Sequence, residues 1–220
     1  MNQLELTLTI TLDTAFHTTG NLRRLGVEKA MARSAGGDPV LPATTLKGFL
    51  REKAEILLRT WGHSVCLGPE PDQICRGSNP CMVCRVFGNP WQPSPLHFGD
   101  ARLVSEEETL AVRVGVAISR YRRAAFPQRL FFLETTPPLP TQWHARCYGY
   151  FPNHDAAREA ARLIALAARL GVAIGGGKTR GLGWIQKIEV EACIDGEAIP
   201  ETDLKAIWHV WQEGSHVAQD

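Results

Sequence analysis

The sequence predicts an α+β domain of the split βαβ type, βαββαβ, enlarged by two insertions. Three observations predict it. Residues Leu4 to Leu12, "LELTLTITL", alternate apolar and polar as a half-buried strand does. Two helical patterns, "TTLKGFLREKAEILLRTW" and "HDAAREAARLIALAARLG", stand far apart in the chain. Strand-like stretches lie between and after them, from about Leu96 to Phe151 and from Leu182 to Ile194. The chain has 220 residues, no internal repeat and no low-complexity linker, so 1–220 reads as a single domain.

The elements follow in order. After the first strand comes a long irregular stretch, "HTTGNLRRLGVEKAMARSAGGDPVLPA". The first helix sets Leu46, Phe49, Leu50, Ile56, Leu57 and Trp61 near one stripe, with Thr44 or Thr45 as N-cap. A cysteine-rich insertion (62–95) follows, then strands and a hairpin region (112–145) interrupted by "TTPPLP". The alanine-rich second helix is expected to stop at Gly171. The last strand puts Leu182, Trp184, Ile188, Val190 and Ile194 on one side. In the C-terminal segment (203–220), Leu204, Ile207, Trp208 and Trp211 predict a short helix over Asp203 to Gln212, with a frayed tail beyond Gly214. Cys147 and Cys193 read as core residues of strands.

Composition is that of an ordinary globular protein, with 21% charged residues and a net charge of +1. No apolar run is long enough to span a membrane, and no leader-like segment opens the chain, so a cytoplasmic protein is expected. The charge is unevenly placed. "SRYRRAAFPQRLFF" (Ser119 to Phe132) carries four arginines and no acid, and "TTLKGFLREK" and "GGGKTRGLG" add further cations. Any one of these segments reads as a solvated face; the three together predict a local anion-binding surface.

Four of the six cysteines fall within nineteen residues, "CLGPEPDQICRGSNPCMVC". Clustered cysteines in a cytosolic chain read as metal ligands before disulfides. Cys66, Cys75, Cys81 and Cys84 are therefore candidate ligands of a structural Zn2+, with His63 able to stand in for Cys66. A reduced metal-free loop and a redox pair at Cys81 and Cys84 are the alternatives. "GGGKTRGLG" (Gly175 to Gly183) suggests a nucleotide-binding loop, but the P-loop pattern would need glycine at Val172. It also needs a strand before and a helix after, the reverse of the order here.

Several stretches, in order, resemble the RAMP superfamily of CRISPR-associated proteins. "LPATTLKGFLR" is similar to that family's P-G-S-S-L-K-G-x-x-R, with Ala-Thr-Thr in place of Gly-Ser-Ser. "CRVFG", "RVGVAISR", "RLFFLETTPP" and "TAFHTTG" resemble its apolar-Phe-Gly signature, its hairpin and its histidine-glycine turn, with Ser119 where Asp or Asn is common. "GGGKTRGLG" resembles its C-terminal glycine-rich loop. The matches run from about residue 3 to 192 and lie nearest the backbone subunit of type III (Csm and Cmr type) effector complexes.

The resemblance implies a ferredoxin-like (RRM-like) βαββαβ core with a zinc-binding insertion and a thumb-like β-hairpin insertion. It implies partners: CRISPR guide RNA, target RNA, further copies of the chain and other effector subunits. Guide-RNA contacts fall on His17, Lys47, Arg51, Gly175, Gly176, Gly177, Lys178 and Arg180, with Arg120, Arg122 and Arg123 on the hairpin. Glycines let backbone N–H groups approach phosphate while the cations supply charge. Target-cutting members carry an aspartate before the L-K-G helix and use Mg2+ or another divalent cation. "GVEKAMARS" has Glu28 at that place and Ser34 at the second acid, which makes Glu28 the candidate catalytic carboxylate. Two other readings compete: a metal-independent CRISPR RNA-processing endonuclease using His17, His63 or His97 as base, and a non-enzymatic zinc-containing interaction protein.

Overall fold

The structure, a computed structural model, describes residues 1–20, 23–68, 70, 72–77, 79–104 and 110–204. The chain runs β1 (Asn2–Leu12), β2 (Val40–Leu41), α1 (Ala43–Thr60), α2 (Met82–Phe87), β3 (Leu96–Phe98) and β4 (Ala101–Val104). It continues through β5 (Ala111–Ser119), β6 (Ala124–Thr135), β7 (Thr141–Phe151), α3 (His154–Arg169), β8 (Ile185–Ile194) and β9 (Glu197–Ala198). The main sheet has the order β2-β4-β7-β1-β8-β9, with β3 also pairing β7. Its inner strands β4, β7, β1 and β8 pair antiparallel throughout. With α1 leading from β1 to β3 and β4, and α3 from β7 to β8, this is the split βαβ arrangement the sequence predicts. No helix of the described residues is long and apolar enough to cross a membrane.

The central strand shows why the alternation matters. Leu4, Leu6, Leu8, Ile10 and Leu12 all point to the helical side and are fully buried. Each contributes about 1.5–3 kcal/mol of burial. Their inward neighbours on β7 are Trp143, Ala145 and Cys147. Helix α3 offers alanines to the sheet, Ala157, Ala160, Ala161 and Ala168 among them, which lets its axis come close. Asn153 caps it by accepting the Ala156 N–H at 2.8 Å. Helix α3 ends at Arg169 with Leu170 as its C-cap, so it stops ahead of Gly171 as expected, and a Cβ on Gly171 would lie 2.1 Å from Cζ of Phe49 on α1.

Four expectations need correction. Helix α1 begins at Ala43 after Pro42, so neither Thr44 nor Thr45 is its cap. The Ala43 N–H instead donates to Asp100 Oδ1 at 2.7 Å, a cap delivered from the β3–β4 corner. Ile56 is exposed, and Ala54 and Leu58 complete the buried stripe. The last strand starts at Ile185, because a shift in pairing opposite Thr11 and Leu12 changes the phase and leaves Trp184 outside, exposed. Cys193 pairs across from Glu5 on the sheet's open side and is only half-buried, whereas Cys147 is in the core. The expected helix over 203–212 falls mostly outside the described residues.

The hairpin occupies β5 and β6, and residues from Thr141 onward belong to the main sheet. Replacing Asp100 by Ala should cost about 1 kcal/mol, or about 2–4 °C in thermal midpoint for a chain of this size. Asp100→Asn keeps an accepting oxygen and should lose less. Equal losses in a thermal melt would show that capping is not what Asp100 does.

Candidate nucleic-acid interface

Beyond β1 the chain from Asp13 to Thr18 crosses the end of the sheet and is held on both sides. Its Ala15 and His17 carbonyls accept the N–H groups of Gly183 and Gly176 at 2.9 and 2.8 Å. On the other side, Phe16 donates to the Thr136 hydroxyl and accepts the Thr136 N–H. Gly175 (φ +88°) is obligatory here, since a Cβ would stand 2.5 Å from the His17 carbonyl oxygen. At Gly183 it would stand 2.0 Å from that of Ile174. Those glycines serve close packing of chain on chain, and the Gly176 amide is engaged internally rather than turned outward. The tip is a single 3-10 turn, Lys178–Arg180, between left-handed Gly177 and Gly181. Lys178 and Arg180 are exposed there, and the Arg180 guanidinium lies 5.2 Å from the Phe131 ring centroid at the hairpin.

Beneath this surface sits Glu134, whose side chain is 0% exposed. One carboxylate oxygen accepts from Arg33 at 3.0 Å and also from Arg24; the other accepts the Met31 N–H at 2.9 Å. Burial pushes this carboxyl up, but the Met31 N–H and the two guanidiniums outweigh it and hold it below the usual carboxylate range. The Glu134 carbonyl oxygen takes the Nδ1–H of His17 at 2.6 Å, which leaves Nε2 to accept the Thr19 hydroxyl at 2.9 Å. A carbonyl can only accept, so the tautomer follows. Burial first, and then nearby Lys29, lower the His17 pKa against the raising effect of that carbonyl. The imidazole is therefore neutral at pH 7 with both nitrogens engaged, an orienting group rather than a poised base. None of Glu134, Arg24, Arg33 and Lys29 is singled out by the sequence. The one available signal is a lone acid ending the basic run in "RLFFLETTPP".

The loop carrying Glu28 is stitched to the hairpin. Lys29 bridges Leu133 in parallel, donating its N–H to the Phe132 carbonyl and accepting that of Glu134. One Glu28 carboxylate oxygen accepts the Phe132 N–H, at the rim of an open cavity of about 490 Å³ lined by Arg23, Arg24 and Phe132. Arg120, Arg122 and Arg123 form the exposed hairpin tip with Tyr121. Lys47 lies 5.7 Å from the Phe98 ring centroid, and burial and then Arg51 lower its pKa. Arg51 donates to the Gly88 carbonyl at 2.9 Å and pairs with Glu55, so its contacts lie on the α2 side of α1. His97 stands on the open face of the sheet, away from the glycine-rich loop's end.

The four clustered cysteines do converge. Their sulfurs lie within 4.8 Å of one another, with Cys66 to Cys84 at 3.4 Å and Cys66 to Cys81 at 3.8 Å. Four thiolates about 2.3 Å from one ion would stand about 3.8 Å apart, so the set fits a tetrahedral metal. Helix α2, unannounced by the sequence, fixes Cys84 through buried Val83, Val86 and Phe87. Burial pushes the Cys81 thiol up, but hydrogen bonds from main chain and neighbouring thiols prevail and bring it down to about 7. Burial drives Cys84 strongly upward. His63 is exposed and outside the cluster, which contains Cys66.

A split βαβ sheet, closed at one end by a basic glycine-rich loop with an arginine-tipped hairpin beside it, defines a ferredoxin-like domain with a cationic end. The family model of the RAMP superfamily matches residues 9–186, and the chain belongs to that superfamily. Membership supports a CRISPR-associated, RNA-binding role. No curated protein matches the chain.

Glu134→Gln should lower stability at pH 7 by about 2 kcal/mol, the scale of hydrogen bonds to a buried charged group. Because the folded carboxyl titrates below its ordinary value, that contribution is complete above about pH 4.3 and vanishes as pH falls through the folded pKa. Denaturant melts of both proteins at pH 7, 5 and 3.5 read it directly. A difference that does not shrink in acid would show that the charge is not the stabilising element.

Proposed function

We propose that this chain is a guide-RNA-binding backbone subunit of a type III (Csm or Cmr type) CRISPR effector complex. The observation that carries this is the meeting, at one end of the sheet, of the Lys178–Arg180 tip, the His17 turn and the base of the hairpin. The tip cations take guide phosphates, with Lys47 and the hairpin arginines Arg120, Arg122 and Arg123 as further contacts. Guide sequence is immaterial to such binding, because phosphates carry no base identity. Further copies of the chain and other effector subunits line up along the same RNA, with the hairpin as the thumb that meets the guide–target duplex. The cysteine cluster supports a structural Zn2+ held by Cys66, Cys75, Cys81 and Cys84, a closed set that leaves no open position for catalysis.

Target cleavage by attack of a 2′-hydroxyl on the adjacent phosphate is the second reading, and Glu28 at the cavity rim is what favours it. A divalent cation would supply charge neutralisation at the phosphate. One Glu28 oxygen holds the Phe132 N–H, which leaves the other to face a divalent cation held largely by RNA phosphates and water. The Phe132 tether is what favours assigning Glu28 to holding the loop and the complex to binding. Guide-loaded complex given labelled complementary RNA and magnesium should leave it intact. Regular cutting that Glu28→Ala abolishes would overturn this and make Glu28 catalytic.

Replacing Lys178 and Arg180 together by Ala should weaken binding about tenfold or more for unrelated RNA sequences and flatten the salt slope by about 1.4, two phosphate contacts' worth on a single strand. Unchanged affinity and slope would remove the loop from the interface. Elemental analysis of protein purified without added metal should find about one zinc per chain, falling in Cys84→Ser. Full zinc retention in Cys66→Ser would transfer that ligand position to His63.

A further inference from the structure

The sheet has an open face, turned away from α1 and α3. On β7 the outward side chains are Gln142, His144, Arg146, Tyr148 and Tyr150, all exposed. Register sets His97 of β3 opposite Tyr148, and Arg102 of β4 opposite His144, on that same face. The rings of His97 and Tyr148 lie nearly parallel, 5.3 Å apart at 26°. Tyr148 and Tyr150 are 53% and 52% exposed, unusual for two aromatic rings on a strand whose alternate residues are fully buried. Charge is divided across the face. Arg102 and Arg146 flank the rings on the β7 side, while Glu189 and Glu191 project from β8, across β1. Glu5, opposite Tyr148, accepts a hydrogen bond from Gln3.

We propose that the β3–β4–β7 half of this face is a stacking platform for single-stranded RNA, distinct from the loop at the end of the sheet. Tyr148, Tyr150 and His97 take the faces of unstacked bases, while Arg146 and Arg102 take phosphates. Tyr148 and Tyr150 are two residues apart on one strand, so their rings emerge about 7 Å from each other. That is the reach of successive bases on an extended strand, and every base offers a π-face regardless of sequence. A protein partner is the weaker fit: between His144 and Tyr150 the outward row holds rings and a cation and no aliphatic side chain. A duplex is excluded because its bases are already stacked and paired. The choice of RNA as the polymer rests on the function proposed above; the platform itself rests on the rings and their charges.

The test uses the full chain, a fluorescent oligouridine of about 15 nucleotides and anisotropy, with photocrosslinking from 4-thiouridine mapped by mass spectrometry. Tyr148→Ala with Tyr150→Ala should weaken binding about tenfold or more, and the corresponding Phe pair should stay within about twofold. The tyrosine variants should keep the wild-type salt slope, whereas Arg102→Ala with Arg146→Ala should flatten it. Crosslinks should fall on the Tyr148, Tyr150 and His97 peptides, and duplex RNA should not distinguish wild type from the Ala pair. Matching thermal midpoints check that the exposed substitutions leave the fold intact. Wild-type affinity in the Ala pair, or crosslinks confined to the glycine-rich loop and hairpin, would overturn the platform. In that case loss of binding in the Lys178 and Arg180 double variant would still leave the end-of-sheet interface standing. The reverse pattern would remove that interface and keep the platform, and absence of binding by every variant and wild type alike would defeat both.

Discussion

A buried carboxylate organises the end of this sheet. Glu134 leaves the hairpin pointing inward, where its charge is tolerable only because a backbone N–H and two guanidiniums meet it. Those partners come from the loop between Gly20 and Leu41, and its own carbonyl fixes His17 from the turn after β1. The loop, the turn and the hairpin are thus located relative to one another by one residue's polar atoms. The glycine-rich loop packs in turn on the His17 carbonyl, so its position is inherited from the same point.

This arrangement explains why the end of the sheet can be both cationic and ordered. Lys178 and Arg180 at the tip, and the arginines of the hairpin, repel one another when no anion is bound. Arg24 and Arg33 would add to that repulsion, but both meet the single negative charge of Glu134, which offsets half of theirs. The outer layer, the tip and the hairpin, has no such buried counter-charge. Glu28 follows the same logic: its carboxylate secures the loop to Phe132 on β6, and the parallel bridge at Lys29 and Leu133 continues the seam.

Legibility in the sequence followed the range of the interaction. Strand β1 and helix α3 were readable because alternation and helical spacing are properties of neighbouring residues. The cysteine cluster was readable for the same reason, its ligands falling within one short segment. The cap of α1 was not, since it comes from Asp100, 57 residues along from Ala43. The start of β8 was misplaced by a pairing shift at Leu12 that leaves no mark on either strand alone. In the glycine-rich loop the motif was visible and its partial reason was not. Gly175 and Gly183 are required by carbonyls of His17 and Ile174, and sequence offers no way to see those atoms. Glu134 shows in the sequence only as a lone acid after a basic run, because every partner of its carboxylate lies a hundred or more residues away.

The hairpin is a two-stranded ribbon with Val114, Leu130 and Ile118 exposed along it, and ribbons of that kind invite other copies to add strand by strand. Its β6 edge is closed twice over. At the base the chain's own residue Lys29 occupies the pairing position at Leu133. Farther out, between the pairs Val116 with Leu130 and Ile118 with Ala125, the ribbon bulges, Pro127 has no N–H to offer and Gln128 adopts a left-handed φ of 57°. A copy presenting its β5 edge therefore finds no β6 edge to join. Growth from the β5 side alone would stop at a pair, so an endless ribbon is barred by geometry. Any longer series of these chains has to be ordered by something other than strand addition on the hairpin.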